Sequence, residues 1–147
     1  KHNLSSKDML NMVNKESGLA GISGVSSDMR EITAAAKQGN EKAILSLEMY
    51  EQRITKYVGA FAAEMGGVDI IVFTGGVGEH QSSTRANVCK PLRFMGVEID
   101  DAANDANNGD EGIISTPNSA VKVVVIPTDE EYMIAKDTEA IIEGREP

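Results

Sequence analysis

Three stretches of the chain carry residue types that could do chemistry. The densest is Thr74-Gly75-Gly76-Val77-Gly78-Glu79-His80, directly behind the apolar run Ile70-Ile71-Val72-Phe73. Its glycines let the backbone turn sharply and take positive φ, and they remove Cβ atoms that would hold a ligand off the main chain. If Gln81 or Ser82 opens a helix, the loop N–H groups and the helix dipole face one small volume that suits phosphate oxygens. A plain strand–turn–helix connection accounts for the same residues. The second stretch is Pro127-Thr128-Asp129-Glu130-Glu131, behind the run Val121–Ile126. Acids are ordinary in a first helical turn. A carboxylate leaving the same sheet edge as a phosphate cradle could instead hold Mg2+, directly or through water. The third is Asp28-Met29-Arg30-Glu31. Asp28 has capping-box spacing to Glu31, or is freed for a ligand if Ser27 caps instead. Arg30 is a solvated helix charge or a ligand contact.

The elements that must position these residues follow from periodicity. Val68–Thr74 reads as a strand buried on both faces, because four β-branched or aromatic residues stand in a row between turn residues. Ser5–Val13 reads as a short helix capped by Ser5 or Ser6, with Met9, Leu10 and Val13 on one face. Gly18–Ser27 has loop chemistry, anchored by Leu19, Ile22 and Val25, and such a loop tends to line a site. Asn40 caps the clearest helix, Glu41–Met65, about 40 Å long at ~1.5 Å per residue. Its apolar stripe is Ile44, Leu47, Tyr50, Ile54, Tyr57, Phe61 and Met65, suited to a core or a subunit interface. Ser82–Met95 is a helix with Val88, Leu92 and Met95 inward, kinked or shortened by Pro91. Val97–Ile99, Gly112–Thr116 and Val121–Ile126 are strands, with a short helix and an Asn108-Gly109 turn between the first two. A last helix runs from Asp129 to Ile142, with Thr128 and Glu131 at capping-box spacing. This order predicts an α/β fold, a mixed sheet with flanking helices. If the strands at 68–74 and 121–126 are parallel, both chemical turns leave the carboxyl edge, where open α/β sheets bind ligands.

Composition narrows the function classes. The chain has 147 residues, enough for one domain with a proper core. A net charge of −9 argues against a general nucleic-acid or anionic-membrane surface, though not against a local nucleotide site. With no Trp and 4% aromatics, a stacking platform for single strands is not expected. No segment approaches the ~20 apolar residues of a membrane span. The one cysteine, Cys89, excludes an internal disulfide and fits a reducing cytoplasm. The chain begins at Lys1 rather than Met, and a piece of something longer is expected.

The blocks ISGVSSDMRE, VFTGGVGEH, GIISTPNS and VVVIPTDEE, in this order, closely resemble the C-terminal part of the acetokinase family. That family belongs to the sugar-kinase, Hsp70 and actin superfamily. The resemblance covers nearly the whole chain. It implies the C-terminal, ribonuclease H-like domain of that superfamily, with residues 1–147 as its nucleotide-binding portion. The implied activity is reversible phosphoryl transfer between ATP and acetate, giving acetyl phosphate and ADP, with Mg2+ or Mn2+. Asp28, Met29 and Arg30 match the block that contacts adenosine. Gly76, Val77, Gly78, Glu79 and His80 match the second nucleotide loop, and Glu130 matches the Mg2+-associated acid. His80 and Asp129 stand where the family more often has Asn. Neither removes a backbone N–H, so the nucleotide role is expected to survive. The acetate pocket, the catalytic arginines and histidine and the first phosphate loop are implied upstream of Lys1. No catalytic residue is therefore expected within this chain, and alone it is expected to be inactive. A cytoplasmic homodimer built through this half is also implied. His2 matches no catalytic histidine and reads as an exposed residue.

Other readings keep a place. Propionate or butyrate kinases of the same family differ in a pocket outside this chain. A Rossmann-type NAD site would need its third glycine where Gln81 stands, and no acid ends a clear second strand ~20 residues on. A non-catalytic dimerisation module could use the Glu41–Met65 stripe.

Overall fold

The structure is a computed structural model that describes residues 4–145, so the expectation for His2 lies outside the described residues. Two units form, one from Lys1–Val68 with Asn87–Leu92, the other from Asp69–Ala86 with Arg93–Pro147.

In the first unit, α1 (Ser6–Asn11) starts where Ser5 caps it in a reciprocal box with Asp8, and a π-turn continues it over Met12–Glu16. Met9, Leu10 and Val13 are all exposed. The expected loop at 18–27 is instead largely a helix, α2 (Gly18–Ser23), ended by Gly24 at φ 63. Packing on the long helix outweighs its weak propensity. Leu19 and Ile22 are half-buried and Val25 is exposed.

Next come α3 (Met29–Lys37), also packed on the long helix, and α4 (Glu41–Met65) itself. Asn40 accepts from the N–H groups of Lys42 and Ala43, and Gly66 closes the helix in the left-handed region, so the expected bounds hold. The inward face differs. Ala43, Ser46, Glu51 and Ala62 are buried, whereas Ile44, Tyr57, Phe61 and Met65 are exposed. Small side chains let neighbouring helices approach closely, and the bulkier stripe lies on the adjoining arc. Arg53 sits 5.6 Å over the Tyr57 ring, which stacks on Phe61 at 6.1 Å. Glu51 accepts from the Asn87 amide at 3.0 Å, and Thr55 donates to the Val88 carbonyl at 3.1 Å. Cys89 is 2% exposed, and burial pushes its thiol up to about 12.

The second unit is built on β1 (Ile70–Phe73), followed by α5 (Gly75–His80) and α6 (Ser82–Cys89), whose last turn belongs to the first unit. Pro91 shortens the expected 82–95 helix, and a 3-10 segment takes over at Lys90–Met95. Of the predicted strand at 97–99, only single bridges form, Val97 to Val121 and Ile99 to Ser115. Then follow α7 (Asp101–Ala106), β2 (Gly112–Ile113), β3 (Lys122–Val125) and α8 (Glu130–Ile142). The sheet order is β1-β3-β2, with β3 parallel to β1 and antiparallel to β2.

β1 is not buried on both faces. Ile71 and Phe73 are buried, while Ile70 and Val72 are 52% and 48% exposed, because the three-stranded sheet is covered on one side. The cap of α8 is Asp129, which accepts from Tyr132 N–H at 2.8 Å, and not Thr128. The Thr128 side chain is engaged elsewhere. Among the described residues no helix is long and apolar enough to cross a membrane.

Candidate functional site

β1 and β3 run in parallel register, Ile70 opposite Lys122 through Phe73 opposite Val125. The ladder extends one bond further, from Ile126 N–H to the Phe73 carbonyl at 2.9 Å. The turns behind the two strands therefore leave the same edge, as the sequence led us to expect.

The glycine stretch is not an open loop but the helix α5, entered through Thr74 in extended conformation. Its three glycines meet different demands. Gly75 has φ +72, where a side chain would be strained. Gly76 has nothing within 4 Å of where a Cβ would stand, so its backbone is approachable. Gly78 lacks positive φ, and a Cβ there would meet the Phe73 carbonyl carbon at 3.3 Å. Gly78 thus serves the packing of α5 on β1. Val77 is half-buried in the same turn.

Glu79 is 7% exposed, and its carboxylate faces inward. Oε1 accepts from Gly75 N–H at 2.7 Å, Thr128 N–H at 2.9 Å and the Thr128 hydroxyl at 3.0 Å. The Thr128 N–H foremost, then its hydroxyl and the Gly75 N–H, hold the carboxyl below its ordinary range against the opposing effect of burial. His80 is exposed, with Nε2 3.9 Å from Glu79 Oε2. Its ring lies against Gly109, at φ +101, where a Cβ would collide with it.

Sequence reasoning missed Arg85, whose side chain is among the most completely buried in the chain. Its Nη1 donates to the carbonyls of Gly78 at 3.0 Å and Glu79 at 2.6 Å, the end of α5. Nη2 donates to the carbonyls of Asn104 at 2.8 Å and Asn107 at 3.0 Å, and Nε to Asn104 Oδ1 at 2.7 Å. Burial lowers the guanidinium pKa, opposed by the charge of Asp105. A signal was available: Arg85 stands three residues before Val88 and seven before Leu92, on the stripe expected to face inward.

Glu130 is exposed at the first residue of α8. Among the described residues no group of three or more His, Cys, Asp or Glu side chains could hold a metal ion. Mg2+ needs no such cage, since it keeps several waters and takes one or two carboxylates together with phosphate oxygens. Glu130 fits that donor set.

Asp28, Met29 and Arg30 lie in the first unit. Asp28 caps α3 by accepting from Arg30 N–H at 2.8 Å, and its carboxylate pairs with the Arg30 guanidinium at 2.6 Å. The Arg30 side-chain hydrogen bond, then its N–H, hold the Asp28 carboxyl at about 2. Met29 is buried, and the Arg30 side chain is 87% exposed, able to turn to a ligand.

A sequence profile described as the acetokinase family matches residues 1–136. The acetate kinase of Bacteroides thetaiotaomicron is 58% identical over 142 residues, which is 97% of this chain and 36% of the relative. The crystal structure of Porphyromonas gingivalis acetate kinase aligns with a TM-score of 0.86 at 55% identity, over 95% of this chain and 35% of that one. A propionate kinase from Francisella tularensis aligns with a TM-score of 0.79 at 37% identity, over 91% of this chain and 34% of that one. The chain spans about a third of the length of the curated relatives it matches.

Proposed function

The chain belongs to the acetokinase family, and from that premise we propose that it supplies the nucleotide side of a reversible phosphoryl transfer between ATP and acetate, giving acetyl phosphate and ADP. The observation that supports this most is the joining of the Gly75 and Thr128 turns, at one sheet edge, through the single carboxylate of Glu79. In this reading the α/β units form the nucleotide-binding C-terminal portion of an actin/Hsp70/sugar-kinase-like, ribonuclease H-like fold. The acceptor pocket and the groups that act on the transferring phosphoryl group lie in the remaining two-thirds of the enzyme, in the cytoplasm. Acetate is taken as the acceptor because the relatives 58% identical over 97% of this chain are acetate kinases, while the pocket that distinguishes acyl chains lies outside this chain.

The roles divide by residue. The backbone of Gly76 to His80 approaches the phosphates, and Asp28, Met29 and Arg30 contact the adenosine part. Glu130 would hold Mg2+, which would supply charge neutralisation during transfer. Catalysis of this kind is mainly positioning and electrostatics, so backbone geometry counts for more than any one reactive side chain.

Gly76→Val tests this reading. Nothing stands within 4 Å of where its Cβ would lie, so the fold should hold, while close approach of a phosphate is blocked. In a full-length enzyme carrying this segment, calorimetry should show ADP affinity lowered about tenfold or more, equivalent to ~1.4 kcal/mol. Unchanged affinity would return the stretch to a turn with no ligand.

The implied homodimer would use the exposed arc of α4, where Tyr57 and Phe61 stack beside Arg53. Phe61→Glu should then shift the sedimenting species to monomer. A dimer that persists unchanged would place the interface elsewhere.

A further inference from the structure

Glu79 matches a residue of the nucleotide loop, yet its buried carboxylate is turned away from solvent. Three donors converge on Oε1, one from the glycine turn and two from the turn ahead of α8. Thr128 is drawn out of the capping position by this contact, and Asp129 caps in its place. The turn that presents Glu130 is thereby tied to Gly75 through a side chain, beyond the last main-chain bond between β1 and β3. The far end of α5 is fixed as well, because the Glu79 carbonyl is one of the acceptors of Arg85.

We propose that Glu79 is a positioning residue whose carboxylate sets the placement of the Glu130 turn against the glycine turn, so that metal and phosphates are met in register. This deepens the nucleotide-and-Mg2+ reading above and rests on it. Hydrogen bonds to a charged group are the stronger kind. An amide at this position would keep one acceptor and lose the charge. Thr128→Val removes only the hydroxyl contact, and Thr128→Ser keeps it.

The test uses a full-length enzyme carrying this segment, with ADP affinity measured by calorimetry in Mg2+ and in EDTA. For Glu79→Gln and Thr128→Val the gain in affinity that Mg2+ confers should fall about tenfold and about threefold, respectively. Thr128→Ser should restore it, and the double variant should do no worse than Glu79→Gln alone. If Glu79→Gln does not fold, the contrast of Thr128→Val with Thr128→Ser decides the matter. A lowered melting temperature with the Mg2+ increment intact would make Glu79 a purely structural carboxylate and overturn the proposal. Glu130→Ala in the same assay separates the two levels. An increment unmoved by Glu130→Ala defeats the metal assignment itself. One lost in Glu130→Ala yet intact in the Glu79 and Thr128 variants defeats only the positioning role.

Discussion

Glu130→Ala, in a full-length enzyme carrying this segment, is expected to lower kcat on the order of 100-fold and to raise the Mg2+ concentration needed for half-maximal rate. The size follows from what is lost. A metal that neutralises charge on the transferring group contributes several kcal/mol to the transition state, and about 2.7 kcal/mol is 100-fold. If Glu130 were only a first-turn acid, its removal would cost ~0.3–1 kcal/mol of stability and leave the rate nearly intact. The neighbours on either side are the controls. Asp129 is the cap, so Asp129→Ala should lower the melting temperature, at about 1 kcal/mol, while largely sparing the chemistry. Glu131, exposed in the first turn, should be close to silent in both. A large kinetic loss in Asp129→Ala or Glu131→Ala, with Glu130→Ala unaffected, would mean that the metal has been assigned to the wrong carboxylate.

Arg85→Met is expected to destabilise the same enzyme by about 3–5 kcal/mol, read as a fall in the urea midpoint at unchanged m-value. Replacing a buried donor and its acceptor together by apolar groups of the same shape can be nearly neutral. Here only the donor leaves, and five oxygen acceptors lose their partner. Arg85→Lys should recover less than half of the loss, because a compact ammonium with three donors cannot reproduce a planar fork with five. A cost below about 1 kcal/mol for Arg85→Met would show that α5 and α7 are held by something other than this side chain.

What the sequence disclosed and what it concealed have physical causes. Asn40 and Gly66 are local signals, and the bounds of α4 could be read from them. The buried arc of α4 could not. Helices that approach closely need small residues, so Ala43, Ser46 and Ala62 lie inward where periodicity favoured bulkier ones. The common edge of the two turns was legible because runs of β-branched residues marked both strands. The partner of Glu79 was not legible, since Thr128 lies 49 positions away and its local spacing advertised a cap. Arg85 stayed hidden for a similar reason: a charged residue reads as solvated until the carbonyls that surround it are known.

Cys89 lends itself to kinetics. The thiolate is the species that attacks alkylating reagents, and this thiol is both sealed from solvent and pushed up to about 12. In the closed protein it is therefore a silent group, protected from disulfide exchange and from peroxide. Each labelling event counts an opening that exposes Cys89, since reaction must wait until the sulfur meets water. As the one cysteine of the chain, it gives that clock a single hand. The pace of labelling would then report how often this part of the molecule breathes, with no probe added to it.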